Sequence, residues 1–100
     1  LTDIEPENEE SIIHEFKLMQ NYPNPFNPVT TISYSIVNPG NVTIKVYDII
    51  GTLVKELYNG YLPAGNHSVQ LDAGNLSSGI YLYELVSNGN RIVKKLSVMK

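Results

Sequence analysis

Gln20-Asn21-Tyr22-Pro23-Asn24-Pro25-Phe26-Asn27-Pro28-Val29-Thr30-Thr31-Ile32 is the most constrained segment of this chain. Its three closely spaced prolines rule out a helix, because each removes an N–H and its ring clashes with the preceding turn. They rule out a central strand as well, since a proline cannot donate to the ladder. Each proline also drives the residue before it (Tyr22, Asn24 or Asn27) toward extended geometry, and Asn24-Pro25 and Asn27-Pro28 are turn-initiating pairs. The segment therefore reads as a stiff, non-helical ribbon. Tyr22 and Phe26 are large apolar groups set into it, and both are expected to plug a core built by the residues that follow. A mere Pro-rich linker has little use for two aromatics, and a strand pattern begins at once afterwards.

That pattern continues to the end of the chain. Ile32, Tyr34 and Ile36 alternate with Ser33 and Ser35, the period-two signature of a strand with one buried face. After Asn38-Pro39-Gly40, Val42, Ile44 and Val46 alternate with Thr43, Lys45 and Tyr47. The short connection predicts that these two strands pair as an antiparallel hairpin. Asp48-Ile49-Ile50-Gly51 closes the second strand, with Gly51 free to take a left-handed conformation. A third strand is expected over Thr52 to Tyr58, ended by a turn at Asn59-Gly60, and Leu62 to Gly65 is expected to be a loop. His67, Val69 and Leu71 alternate with Ser68 and Gln70. A small polar connection leads to Ser77-Ser78-Gly79. Ile80 to Ser87 is a long strand with Tyr81, Tyr83 and Leu85 on one face. Asn88-Gly89-Asn90 is a hairpin turn, and Arg91 to Met99 is the final strand, with Leu96 and Val98 facing inward. Upstream, Ile12, Ile13 and Glu15 to Met19 are expected to form a short first strand carrying Phe16 and Leu18. The architecture predicted is all-β: an immunoglobulin-like antiparallel β-sandwich of about seven strands.

At 100 residues the chain is one domain, with enough sequence to bury a modest core. It has no cysteine, hence neither a disulfide framework nor a thiolate metal site. No apolar run approaches the ~18 residues of a membrane-spanning helix, and the N-terminus lacks a signal-peptide pattern. Leu1 in place of Met is expected to mark the cut end of a fragment. The net charge of −3 conceals an asymmetry. Residues 1–16 carry Asp3, Glu5, Glu7, Glu9, Glu10 and Glu15 and no base. The remainder holds every Lys and Arg, with Arg91, Lys94, Lys95 and Lys100 gathered at the end without an acid among them. Residues 1–14 are accordingly expected to be a solvated acidic linker, and residues 15–100 the folded domain.

Catalytic chemistry finds little material. His14 and His67 are the only histidines, no Gly-x-Ser-x-Gly elbow occurs, and there is no Walker loop, dinucleotide fingerprint or calcium-loop spacing. Asp48 and Asp72 read as turn caps. His67 reads as a side chain at the edge of the core. The sequons at Asn41, Asn66 and Asn75 are what chance supplies in an asparagine-rich chain. The sequence has no basic stripe of the kind nucleic-acid binding needs. No catalytic residue, cofactor site or metal site is therefore assigned. Tyr58 and Tyr61, flanking the expected Asn59-Gly60 turn, offer exposed rings for stacking on sugars, so an accessory module binding carbohydrate or protein is the alternative function. Lys94, Lys95 and Lys100 either blunt a sheet edge against aggregation or form a docking surface for an acidic partner.

Several motifs in fixed order carry a resemblance. They are Leu18-x-Gln20-Asn21-Tyr22-Pro23-Asn24-Pro25-Phe26-Asn27-Pro28-x-Thr30-x-Ile32-x-Tyr34, Val46-Tyr47-Asp48-x-x-Gly51-x-x-Val54, Ala64-Gly65-x-His67, Leu76-x-Ser78-Gly79-Ile80-Tyr81-x-Tyr83-x-Leu85 and Lys95-Leu96. Over residues 16–100 the chain resembles the type A C-terminal sorting domain of the type IX (Por) secretion system of Bacteroidetes and related bacteria. The resemblance implies an immunoglobulin-like, non-enzymatic module at the C-terminus of a covalently linked N-terminal cargo. It implies recognition of the folded domain in the periplasm by the secretion machinery and passage of the cargo across the outer membrane to the cell surface or medium. It also implies removal of the domain by a sortase-like peptidase, with cleavage in the acidic linker, and attachment of the cargo to an anionic lipopolysaccharide. By the same resemblance, Lys95, Leu96, Val98 and Lys100, with Lys94 beside them, inherit the secretion-signal role, supported by Gly79 and Tyr81. Asn21 to Pro28 with Tyr47, Asp48 and Gly51 form the structural motif.

Overall fold

The computed structural model describes residues 15–100. The expected linker and the expected start of the first strand at Ile12-Ile13 lie outside the described residues. Seven strands follow in order: β1 (Lys17–Leu18), β2 (Val29–Ile36), β3 (Gly40–Asp48), β4 (Leu53–Leu62), β5 (Gly65–Asp72), β6 (Gly79–Ser87) and β7 (Asn90–Val98). They form two antiparallel sheets, ordered β1-β2-β5 and β4-β3-β6-β7. The fold is thus the predicted all-β sandwich, with β4 kept beside β3 rather than joined to the opposite sheet as in constant-type immunoglobulin domains.

The apolar alternation seen in the sequence becomes the filling between the sheets. Ile32, Tyr34 and Ile36 from β2 and Leu71 from β5 meet Val42, Ile44 and Val46 from β3, Tyr81, Tyr83 and Leu85 from β6, and Leu96 and Val98 from β7. All are buried. Each large side chain removed from water in this way contributes roughly 1.5–3 kcal/mol.

Three local expectations are corrected. First, β2 and β3 do not form a hairpin. β2 pairs with β5 along its whole length, from Val29 opposite Asp72 to Ile36 opposite Gly65, while β3 lies between β4 and β6 in the other sheet. The tight primed turns of hairpins need positive φ at their central residues, and Pro39 is locked at negative φ. The connection therefore carries the chain across the sandwich, which lets the apolar faces of β2 and β3 meet. Asn88-Gly89 is the contrasting case. Both residues have positive φ (51° and 81°), and β6 and β7 form the predicted hairpin from Ser87 opposite Asn90.

Second, Asn59-Gly60 is not a turn. Both lie inside β4, opposite Thr43 and Val42, and the chain reverses at Pro63-Ala64 instead. Gly60 serves packing: a Cβ there would sit 3.0 Å from the Tyr58 hydroxyl, so the missing side chain leaves room for that ring.

Third, Tyr22 does not plug the core. Phe26 is buried at 2 % exposure, but Tyr22 is 80 % exposed. Tyr22 pairs through its backbone with Thr31, with N–O distances of 3.0 Å in both directions. In that short ladder Asn21 turns inward and the tyrosine outward.

Candidate recognition surface

The proline ribbon and the last strand are one structural unit. β7 is the edge of the four-stranded sheet, and an uncovered edge presents unpaired N–H and C=O groups. The ribbon covers the C-terminal half. The Gln20 side-chain amide donates to the Lys95 carbonyl at 2.8 Å. The Ser97 N–H donates to Asn24 Oδ1 at 2.9 Å. The Phe26 N–H donates to the Ser97 carbonyl at 3.2 Å, and the Met99 N–H to the Phe26 carbonyl at 2.9 Å. Phe26 thus joins β7 by a parallel bridge opposite Val98 while its ring enters the core.

A buried polar network holds the ribbon in place. The Asn21 N–H donates to the Tyr83 hydroxyl at 2.9 Å, which in turn donates to the Met19 carbonyl at 2.7 Å. Asn21 Nδ2 donates to Thr30 Oγ1 at 3.1 Å, and the Thr30 hydroxyl donates to the Pro23 carbonyl at 2.8 Å. Asn21 and Thr30 are almost fully buried, so each bond prevents the cost of an orphaned polar group. Burial pushes the Tyr83 phenol above its ordinary value, partly offset by the Asn21 N–H.

The remaining motifs converge on the same end of the sheet. Asp48 lies opposite Tyr81, Tyr81 opposite Leu96, and Gly79 opposite Val98. Asp48 caps the β3–β4 turn, accepting at Oδ1 from the N–H groups of Ile50 (3.1 Å) and Thr52 (2.8 Å). Gly51 takes a φ of 93°, a left-handed conformation that disfavours other residues. The buried Tyr81 donates its hydroxyl to the Ser77 carbonyl at 2.8 Å, fastening the loop before β6.

The residues assigned to the secretion signal divide by environment. Leu96, Val98 and Tyr81 are buried in the core and Gly79 is an exposed backbone position. Lys94 is half-buried, on the inner-face side of β7 with Ile92 and Leu96. Lys95 is exposed on the outer face. Lys100 is also exposed, but its Nζ donates to the Gly74 carbonyl at 2.7 Å and its N–H to Ser78 Oγ at 3.0 Å. On that outer face a cluster missed by the sequence reading spans β3, β6 and β7. Tyr47 donates to Glu84 Oε1 at 3.0 Å, and Arg91 Nε donates to Glu84 Oε2. These residues, with Gly51, Leu82 and Val93, line a shallow hollow of about 230 Å³. Burial pushes the Glu84 carboxyl up, but bonds from Arg91 and Tyr47 and the charges of Arg91 and Lys45 outweigh it, leaving it below its ordinary value. Tyr47 is raised by burial and by the adjacent carboxylate. The signal for this cluster was present: the Asn88-Gly89 turn fixes the register that sets Arg91 diagonally across from Glu84.

Of the two tyrosines considered for sugar stacking, Tyr58 packs against the core and donates to the Tyr61 carbonyl at 3.3 Å. Tyr61 is 68 % exposed. Among the described residues, no helix is long and apolar enough to cross a membrane.

The secretion-system C-terminal sorting domain family matches residues 20–99, from the ribbon through the strand it covers. A search of curated proteins gives no match. The matched span contains the ribbon, the Asp48–Gly51 turn, the Gly79–Tyr81 segment and β7, which the fold brings to one end of a single sheet; the chain belongs to the family of secretion-system C-terminal sorting domains, the targeting modules of type IX secretion.

Proposed function

We propose that this domain carries a covalently linked N-terminal cargo through the periplasm and across the outer membrane by type IX secretion. It does so without catalysing a reaction, and a sortase-like peptidase then cleaves within residues 1–14 and leaves the cargo on the surface. The observation that carries this reading is the convergence of the family's motifs on one end of the four-stranded sheet. The residues at that end of the sheet divide the work. Gly79, Tyr81, Leu96 and Val98 set the shape of that end, while Lys95 and Lys100 present charge to the machinery, with Lys94 at the sheet margin. Because Gln20, Asn24 and Phe26 hold β7 through contacts that exist only once the sandwich has closed, a receptor reading this end reads a folded domain.

The test fuses the full chain to a periplasmic reporter in a bacterium that has the type IX system. The unmodified fusion is expected at the cell surface. A Lys95→Glu/Lys100→Glu variant, shown to be folded by circular dichroism, is expected to remain in the periplasm. A folded but unmodified fusion retained in the periplasm would overturn the targeting reading.

A further inference from the structure

The ribbon stops halfway along β7, and the uncovered half has a distinct chemistry. The register of β7 with β6 is unbroken from Gly79 opposite Val98 to Ser87 opposite Asn90. The backbone groups of alternate residues therefore point to the same edge. Lys95, Ser97 and Met99 face the ribbon, so Arg91 and Val93 face the same way. Of the strands, β7 pairs with β6 alone, so among the described residues the N–H and C=O groups of Arg91 and Val93 and the N–H of Lys95 have no backbone partner. An edge of this kind is a ready template for another strand.

The charge beside it selects the occupant. Arg91 is engaged by Glu84. Lys94 and Lys95 form no ion pair with another described residue, and being consecutive in a strand they point to opposite faces. A second copy pairing antiparallel about Val93 would set Lys95 of each copy against Arg91 of the other, like charges directly opposite, which is unfavourable. We propose that Arg91 to Lys95 is a strand-addition site for an extended segment of the secretion machinery carrying two consecutive acidic residues, one for each face. This mode of docking rests on the targeting reading above and specifies how it is accomplished: backbone hydrogen bonds supply affinity, and the paired lysines choose the partner.

Val93→Pro tests it directly. The Val93 N–H points away from β6, so proline removes no bond within the sheet and is tolerated at such an edge, yet it blocks an added strand. Val93→Thr is the control. The probe is a synthetic peptide of alternating valine and threonine with a central Glu-Asp pair, titrated into the ¹⁵N-labelled full chain. Saturable shifts at the Arg91, Val93 and Lys95 amides are expected. Binding about tenfold or more weaker is expected for Val93→Pro and for a peptide with Lys-Lys at the centre. Absent shifts, shifts along β4 or β5, shifts spread over all lysines, or binding indifferent to Val93→Pro would overturn the proposal. So would amide shifts that grow with protein concentration without peptide, which would place a second copy on the edge. In the export assay the Val93→Pro fusion is expected to be retained while Val93→Thr is exported; export of both would also overturn it. If the unmodified fusion is itself not exported, the targeting reading fails, and the titration alone decides the strand-addition site.

Discussion

The two halves of β7 share a sheet, a register and a neighbour, yet they meet opposite fates at their outer edge. From Lys95 to Met99 the outward backbone groups are consumed by Gln20, Asn24 and Phe26. From Arg91 to Lys95 they are open. The covering element is not a strand. Its prolines forbid a full ladder, so it closes the edge with two side-chain amides and a single backbone bridge. The difference shows that a proline-rich segment of this type serves as more than a core plug. It protects part of an edge, and it makes the geometry of the terminal residues conditional on a completed fold.

The covered half is broken most severely through its anchor. Phe26→Ala should cost about 3–5 kcal/mol, as expected for emptying a buried phenylalanine site, and should release the ribbon. Urea denaturation would show the lost stability. Amide exchange would show Ser97 and Met99, whose N–H groups are hydrogen-bonded to the ribbon, becoming as labile as Arg91 and Val93. If those amides stay protected, the ribbon is held by something other than Phe26.

Tyr83→Phe is the next largest perturbation. It keeps the ring and removes the hydroxyl that accepts from Asn21 and donates to Met19. A loss of about 1–3 kcal/mol is expected for leaving these buried groups unmatched. The Asn21 amide should exchange faster, whereas the open half of β7 should be unchanged.

The open half is sharpened by pH. The folded Glu84 carboxyl lies below its ordinary value, so its stabilising contribution is complete above the ordinary carboxylate range and is lost as pH falls through the depressed folded value. Arg91→Gln removes the main partner. The stability gap between native protein and this variant should be widest near neutral pH and close in acid, as read from denaturation midpoints across that range. A gap independent of pH would show that Arg91 acts by packing alone.

The smallest effect is expected at Tyr22. Despite its place in the same ribbon as Phe26, its ring is in solvent, and Tyr22→Ala should change stability by no more than about 0.5 kcal/mol. A loss approaching that of Phe26→Ala would restore the expectation that both aromatics seal the core.

Much of this molecule is written locally. The period-two runs in β2, β3, β6 and β7 placed the core side chains on the correct faces because pleating sends successive residues to opposite sides whatever the strand pairs with. Asn88-Gly89, Asp48 and Gly51 were legible for a similar reason: positive φ and side-chain capping are properties of a few adjacent residues. The choice of strand partner was not local. The alternation in β2 and β3 is equally compatible with a hairpin and with two facing sheets, and only the availability of β5, β4 and β6 as full-length partners, together with the constraint at Pro39, separates them. Asn59-Gly60 misled because its glycine answers to the Tyr58 ring rather than to a turn. Tyr22 misled because hydrophobicity does not say which way a ribbon residue faces. That is settled by Asn21, whose buried partners Thr30 and Tyr83 come from β2 and β6. The sequence by itself therefore determined a sandwich, its core faces, its tight turns and its family. The tertiary structure alone decided which strands became neighbours, which residue of the ribbon turned inward, and where the last strand was left open, because those outcomes depend on hydrogen-bond partners and packing surfaces that distant parts of the chain supply only when it is folded.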